Sequence, residues 1–307
     1  MKKIFPFLLF TSILLLVACG DDSNDYNLNN NKGKDTTSAQ TDPRQSDGPD
    51  EAKYHLEFPA LKGGESEVIV HSTDADGMTY ALEWDHQKKA QRWTCFKIYA
   101  SNRVKRWSRS NWPNGDPFQY DPKVPVSEQP NITGEFSGSK YPGSNSTFNR
   151  GHICASEDRV YSKEANEQTF YMTNMMPQVS KFNSGIWSNM ETRVRTWGNK
   201  VDTLYVCKGG TIDNNNQILT YTRSGFIVPK FFFMAILART GNTFKAMGFW
   251  VEHLNDDHSK DNIKDYAIPI NDLQKYTGID FFCNLPDDIE NEVENVSKSQ
   301  LQKDWFN

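Results

Sequence analysis

Asn149-Arg150-Gly151-His152, Phe170-Tyr171-Met172-Thr173-Asn174-Met175-Met176-Pro177-Gln178 and Phe182-Asn183-Ser184-Gly185-Ile186-Trp187 follow one another in a single stretch, with Glu191 eight residues beyond Asn183. One histidine in a long chain is ordinarily a hydrogen-bonded side chain near the surface, so the information lies in the three spaced pieces taken together. Ile186, Met190, Val194 and Trp197 recur at spacings of four, four and three, which predicts a helix over 183–197 with one buried face. Asn183 and Glu191 then lie two turns apart on that helix.

Around this stretch, short apolar or alternating runs at 66–71, 79–84, 92–100, 203–207, 218–222, 230–239 and 245–252 read as strands. The run Phe231-Phe232-Phe233-Met234-Ala235-Ile236-Leu237 has the unbroken apolarity of a central strand covered on both faces. A short helix is expected at 271–276 with Asn271 as its N-cap, and another after Pro286. Between strands the chain is turn-rich, most of all in the Pro-, Gly- and Ser-rich segment 111–146. These elements make one α+β domain, with helices packed on a mainly antiparallel sheet.

The N-terminal part has a different character. Lys2 and Lys3 precede an apolar run from Ile4 to Val17, the layout of a secretory signal over 1–18, and Leu16-Val17-Ala18-Cys19-Gly20 resembles a bacterial lipobox in which Cys19 is lipid-modified. Residues 20–53 are rich in Asn, Asp, Ser, Thr and Gln with few large apolar side chains, so 19–55 reads as a disordered tether. As a flexible coil it would span about 30 Å. The expectation is a lipoprotein held to the membrane through Cys19, in the outer membrane of a Gram-negative cell envelope, with the globular part standing clear.

The formal net charge of −5 is unevenly placed: 20–57 carries nine acids and four bases, 280–307 seven acids and two bases, and 58–279 is left at about +3. Arg92, Lys97, Arg103, Lys105, Arg106 and Arg109 come with no acid between Arg92 and Gly115, a basic stripe of the kind a phosphate backbone would meet. Besides Cys19 there are Cys95, Cys154, Cys207 and Cys283, an even number compatible with two disulfides in any of three pairings. Cys154 lies two residues after His152, yet nothing else resembles a thiol hydrolase. His253 and His258, flanking Asp256 and Asp257, read as part of a polar surface loop.

The three motif pieces resemble the DNA/RNA non-specific endonucleases, the ββα-metal or His-Me finger group that includes endonuclease G-like enzymes, and the resemblance runs from about Leu56 to Asp280-Phe281-Phe282. It implies an endonuclease domain over 56–307 with the ββα-metal nuclease fold. It also implies metal-dependent hydrolysis of DNA and RNA with little sequence preference. In that family pattern His152 matches the general base, an apt role for an imidazole whose ordinary pKa is about 6.5. Asn183 matches the single protein ligand to a divalent metal, magnesium with manganese able to substitute, and a hard carboxamide oxygen suits such an ion. Glu191 would hold the ion's water shell from outside, Arg150 would meet the phosphate with its fork, and Asn174 would support the site by hydrogen bonding. Some members dimerise, so a homodimer is compatible with the resemblance.

Two positions depart from the family pattern. Asn149 stands where Asp is usual, and a family arginine is matched by Lys97, which keeps charge and loses the fork, with Arg106 or Arg109 as candidates to compensate. The Asn149 departure motivates an alternative reading: a catalytically impaired surface lipoprotein that binds nucleic acid or another polyanion. A metal-dependent phosphodiesterase acting on small nucleotides is a third.

Overall fold

The computed structural model describes residues 55–306. The expected signal segment, Cys19 and all but the last residue of the tether lie outside the described residues. In chain order the strands are β1 (Ser66–Thr73), β2 (Gly77–Asp85), β3 (Ala90–Tyr99), β4 (Phe148–His152), β5 (Met175–Val179), β6 (Thr203–Gly210), β7 (Ile218–Tyr221), β8 (Ile227–Pro229), β9 (Phe231–Thr240), β10 (Thr243–Glu252) and β11 (Ala267–Ile268). The helices are α1 (Lys163–Gln168), α2 (Ser188–Gly198), α3 (Ile270–Thr277), α4 (Asp287–Glu294) and α5 (Lys298–Phe306).

Seven strands form one antiparallel sheet in the order β1-β2-β3-β6-β9-β10-β11, while β4 pairs with β5 and β7 with β8. All seven runs read as strands from their apolar pattern are strands. Because successive side chains alternate faces, the sheet carries two cores. Phe96, Ile98, Leu204, Val206, Phe232, Met234 and Ile236 face the β4–β5 pair and α2. Trp93, Cys95, Tyr205, Cys207, Phe233, Ala235 and Leu237 face α3 and α4. Each fully buried large apolar side chain contributes about 1.5–3 kcal/mol. The doubly covered β9 is thus the centre of the fold.

Pattern did not disclose β4, β5, β8 and β11, and the first two of these build the site. β4 and β5 hold five residues each, and they contain a glycine, a histidine and a proline instead of an alternating apolar run. Pro177 is tolerated because β5 pairs on one side only, with β4. The predicted helix is present with an irregular start: Phe182–Trp187 form a π-helical turn, bent at Gly185 (φ −102°, ψ −113°), before α2 proper. Such turns relieve the regular bond ladder at functional positions. Asn271 is not the cap of α3; Pro269 stands there, and Asn271 donates to Asn295 from inside the first turn at 2.6 Å. Gly278, at φ 69°, closes that helix in the left-handed conformation glycine adopts most cheaply.

His253 is not on a surface loop but fully buried, among Phe148, Phe182 and Phe232. The Val179 amide donates to its Nε2 at 2.9 Å and its Nδ1 donates to the Pro229 carbonyl at 3.0 Å, which settles its tautomer. Burial lowers its pKa to about 4. It therefore acts as a neutral clamp between the end of β5 and the sheet. The two-disulfide expectation fails as well: Cys95, Cys154 and Cys207 are buried free thiols. Cys154 lies in the core on the β4–β5 side, whereas Cys95 and Cys207, register partners on β3 and β6, lie in the other.

His253→Ala removes the partner of two buried backbone groups and opens a cavity, so it should cost about 3 kcal/mol of stability, read as a lower urea midpoint. His258→Ala, which loses only the outer pair with Asp261, should change it by less than about 0.5 kcal/mol. Equal effects would refute the clamp.

Candidate active site

The β4–β5 pair sets Asn149 opposite Gln178, Gly151 opposite Met176 and His152 opposite Met175. Alternation turns Arg150 and His152 to one face. Gly151 is required by close approach: a Cβ there would come 2.3 Å from the Gln178 carboxamide carbon, whose side chain is fully buried. The glycine of the motif thus lets the two strands close over Gln178.

His152 is half-buried, with the Phe170 ring edge-on at 5.0 Å and Phe118 at 5.8 Å, and its Nε2 is enclosed without a hydrogen bond. Desolvation is the main cause of a pKa lowered to about 3; the nearby Arg109, Lys208 and Arg150 push it the same way and Asp116 opposes them. The imidazole is therefore neutral at physiological pH. Arg150 lies 3.6 Å above the Phe118 ring and donates to the Ile132 carbonyl at 3.0 Å, so its fork is aimed by an aromatic face and one backbone bond. Arg109 stacks over Phe170 at 5.3 Å and pairs with Asp116, whose carboxyl it holds below the usual range.

Asn174 is fully buried and its carboxamide is spent on backbone: it accepts from the Cys154 amide at 2.8 Å and donates to the Cys154 carbonyl at 2.9 Å and the Thr169 carbonyl at 2.8 Å. These bonds fix the chain just after His152, which makes Asn174 a positioning residue. Cys154 itself is fully buried, and that burial raises its thiol to about 12, so it is no nucleophile.

Asn183 sits on the π-helical turn that follows β5, half-buried, and its carboxamide makes no hydrogen bond among the described residues. Because the helix continues backward through Lys181, Asn183 does not serve as an N-cap. Its oxygen is thus left for an outside partner. On α2, Glu191 accepts from Lys208 of β6 at 2.6 Å; burial raises the carboxyl and Lys208 offsets that. Lys208 is 1% exposed and lies 5.0 Å from the Trp187 ring. Behind this pair, Arg195 donates to Asp158 at 2.9 Å.

Sequence reasoning missed Lys208, although a single lysine within the otherwise uncharged Thr203–Gly210 is a legible sign of a buried ion pair. The basic stripe needs correction. Arg92 is buried in a network with Glu83, Asp85 and Asp213, and Lys97 points to the opposite face of the sheet from His152, its Nζ 3.8 Å from Glu57. Arg103 donates to the Asp202 carbonyl at 2.9 Å, and Lys105 pairs with Glu157 at 2.7 Å. Of the two cations proposed to compensate for Lys97, Arg109 is the one placed beside His152.

The chain matches the family model described as DNA/RNA non-specific endonuclease over residues 70–288. It is 27% identical to a nuclease of Nostoc sp. over 70% of this chain and 75% of that protein. It is 25% identical to nuclease C1 of Cunninghamella echinulata over 67% of this chain and 81% of that protein. It is also 25% identical to human mitochondrial nuclease EXOG over 71% of this chain, spanning 58% of the length of that relative. A chain in a crystal structure of the EndoG/EndoGI complex superposes with a TM-score of 0.63 at 19% identity, over 86% of this chain and 100% of the other. That likeness establishes the shared α+β architecture.

The lowered pKa of His152 has a signed consequence. Its folded value of about 3 lies below the unfolded value of about 6.5, so the unfolded chain binds more protons between them. Stability should therefore fall as pH drops from about 6.5 toward 3, and the His152 ring protons in NMR should show no midpoint between about pH 5 and 8. A midpoint near 6.5 would contradict the burial assigned to the ring.

Proposed function

The chain belongs to the DNA/RNA non-specific endonuclease family, and from that membership we propose that it hydrolyses internal phosphodiester bonds of DNA and RNA with little sequence preference. The observation that carries this reading is a neutral imidazole set beside two guanidinium groups, Arg150 and Arg109, next to a helix that presents Asn183 and Glu191. His152 takes the proton from the attacking water. Arg150 and Arg109 bring positive charge to a phosphate whose own charge grows in the transition state. Asn174 keeps His152 in place, and Lys208 fixes the direction of Glu191.

The unpaired carboxamide of Asn183 and the anionic Glu191 fit a hard divalent ion. Asn183 would hold magnesium, or manganese in its place, and Glu191 would orient the surrounding water. When bound, such an ion supplies Lewis acidity to the phosphate and to the departing 3′-oxygen. Contacts fall on phosphate and sugar, so discrimination between sequences is weak.

The test is plasmid nicking with magnesium, with chelator, and with a His152→Ala variant. We expect chelator to abolish cutting and His152→Ala to lower its rate by about 10²–10⁴, the usual worth of a general base. A variant that cuts as fast as the parent would remove His152 from the mechanism. If the parent itself cuts with neither magnesium nor manganese yet binds DNA in a salt-dependent way, the binding-only reading motivated by Asn149 takes its place.

The same proposal includes location. Lys2, Lys3, the apolar run to Val17 and the lipobox-like Leu16-Val17-Ala18-Cys19 support lipidation of Cys19 and a tethered endonuclease domain from residue 56, in the outer membrane of a Gram-negative cell. Several acyl chains anchor durably where one does not. Cys19→Ser should shift the protein from the membrane fraction and abolish fatty-acid labelling; unchanged labelling would overturn the anchor.

A further inference from the structure

On the far face of the sheet from His152, the loop after α3 and the helix α4 bring three carboxylates together. One oxygen from each of Asp280, Glu290 and Glu294 lies within 4.8 Å of the others. Glu290 and Glu294, four residues apart, share one side of α4, and Asp280 follows Gly278 at the end of α3. Among the described residues, no lysine, arginine or histidine contributes to the charge state of any of the three.

Glu294 provides a second observation. It is 7% exposed; its Oε2 accepts from Gln274 Nε2 at 3.0 Å, but its Oε1 is enclosed with no hydrogen-bond partner. A buried carboxylate oxygen without a donor, beside two more carboxylates, is costly unless something positive meets it. Burial, with the neighbouring acids, accordingly raises Glu290 and Glu294 to about 7, and burial raises Asp280. Asp287 adds to the charge on Glu290. The backbone here is already a junction: Gln274 Oε1 accepts from the Phe281 amide at 2.8 Å, and the Ala60 amide donates to the Asp280 carbonyl at 2.8 Å.

We propose that Asp280, Glu290 and Glu294 form a second cation site, distinct from Asn183, which takes calcium and ties α4 to the α3 loop. Three hard oxygen donors from separate side chains, with Asp280 on the exposed side leaving room for water, suit the six to eight flexible ligands of calcium. Magnesium, with its strict octahedron, fits them less well. The site is structural, and it does not depend on the nuclease reading.

The experiment uses the full chain carrying Asn183→Ala, so that the proposed catalytic ligand is absent, stripped of metal and followed by thermal unfolding as calcium chloride is added. The midpoint should rise by about 5–10 °C at a hundredfold excess over the dissociation constant. Calorimetric titration of the same protein should show one calcium site. Adding Glu290→Gln and Glu294→Gln should leave the metal-free midpoint equal or higher, since like charges are removed, and should abolish the calcium response. No response to millimolar calcium in the Asn183→Ala protein, or an equal response in the triple variant, would overturn the site. So would a midpoint that rises as pH falls from 8 to 6 with no calcium effect, because the carboxylates would then be satisfied by protons alone.

Discussion

A lysine on a central strand and a glutamate on the adjoining helix make the contact on which the site depends. Lys208 is almost wholly enclosed and meets Glu191 at 2.6 Å. Breaking such a pair by removing one partner leaves an uncompensated buried charge, at about 3–5 kcal/mol. The pair therefore fixes the rotation of α2 against the sheet. That rotation decides where Asn183, eight residues earlier on the same helical run, presents its carboxamide.

The same economy of charge runs through the rest of the site. A base that must be neutral is enclosed by aromatic rings, and cations stand near enough to discourage its protonation while remaining available to an anion. Asp116 tempers the field of Arg109. Two groups that position the site are fully satisfied within the protein: the Asn174 carboxamide makes three backbone bonds and His253 uses both ring nitrogens. Asn183, by contrast, makes none among the described residues.

The legibility of the chain follows physical lines. Alternating or unbroken apolar runs disclosed β1, β2, β3, β6, β7, β9 and β10, because burial of one face imposes a period of two and burial of both faces an unbroken run. It was silent on β4 and β5, where glycine, histidine and proline displace the pattern, and these strands were reached through motif resemblance instead. Charge composition misled most. Arg92 and Lys97 lie in a basic run of sequence, but strand geometry sends Lys97 to the face opposite His152, and Arg92 is taken up by Glu83, Asp85 and Asp213. His253 was misread for a related reason, since polar neighbours such as Asn255 and Asp256 say nothing of what packs over the residue itself.

By itself the sequence determined the α+β architecture, the central place of the Phe231–Thr240 strand, the helix bearing Glu191 and the family-like order of Arg150, His152, Asn174, Asn183 and Glu191. Those features are local or periodic, and hydrophobic burial writes them along the chain. Tertiary structure alone decided that Lys208 meets Glu191 and that Arg109, not Lys97, stands by His152. It alone decided that Gln178 demands Gly151, and that Asp280 joins Glu290 and Glu294. Each of these pairs distant residues through the crossing of separate elements, and the free energy of such a contact depends on burial and distance, neither of which exists before the chain is folded.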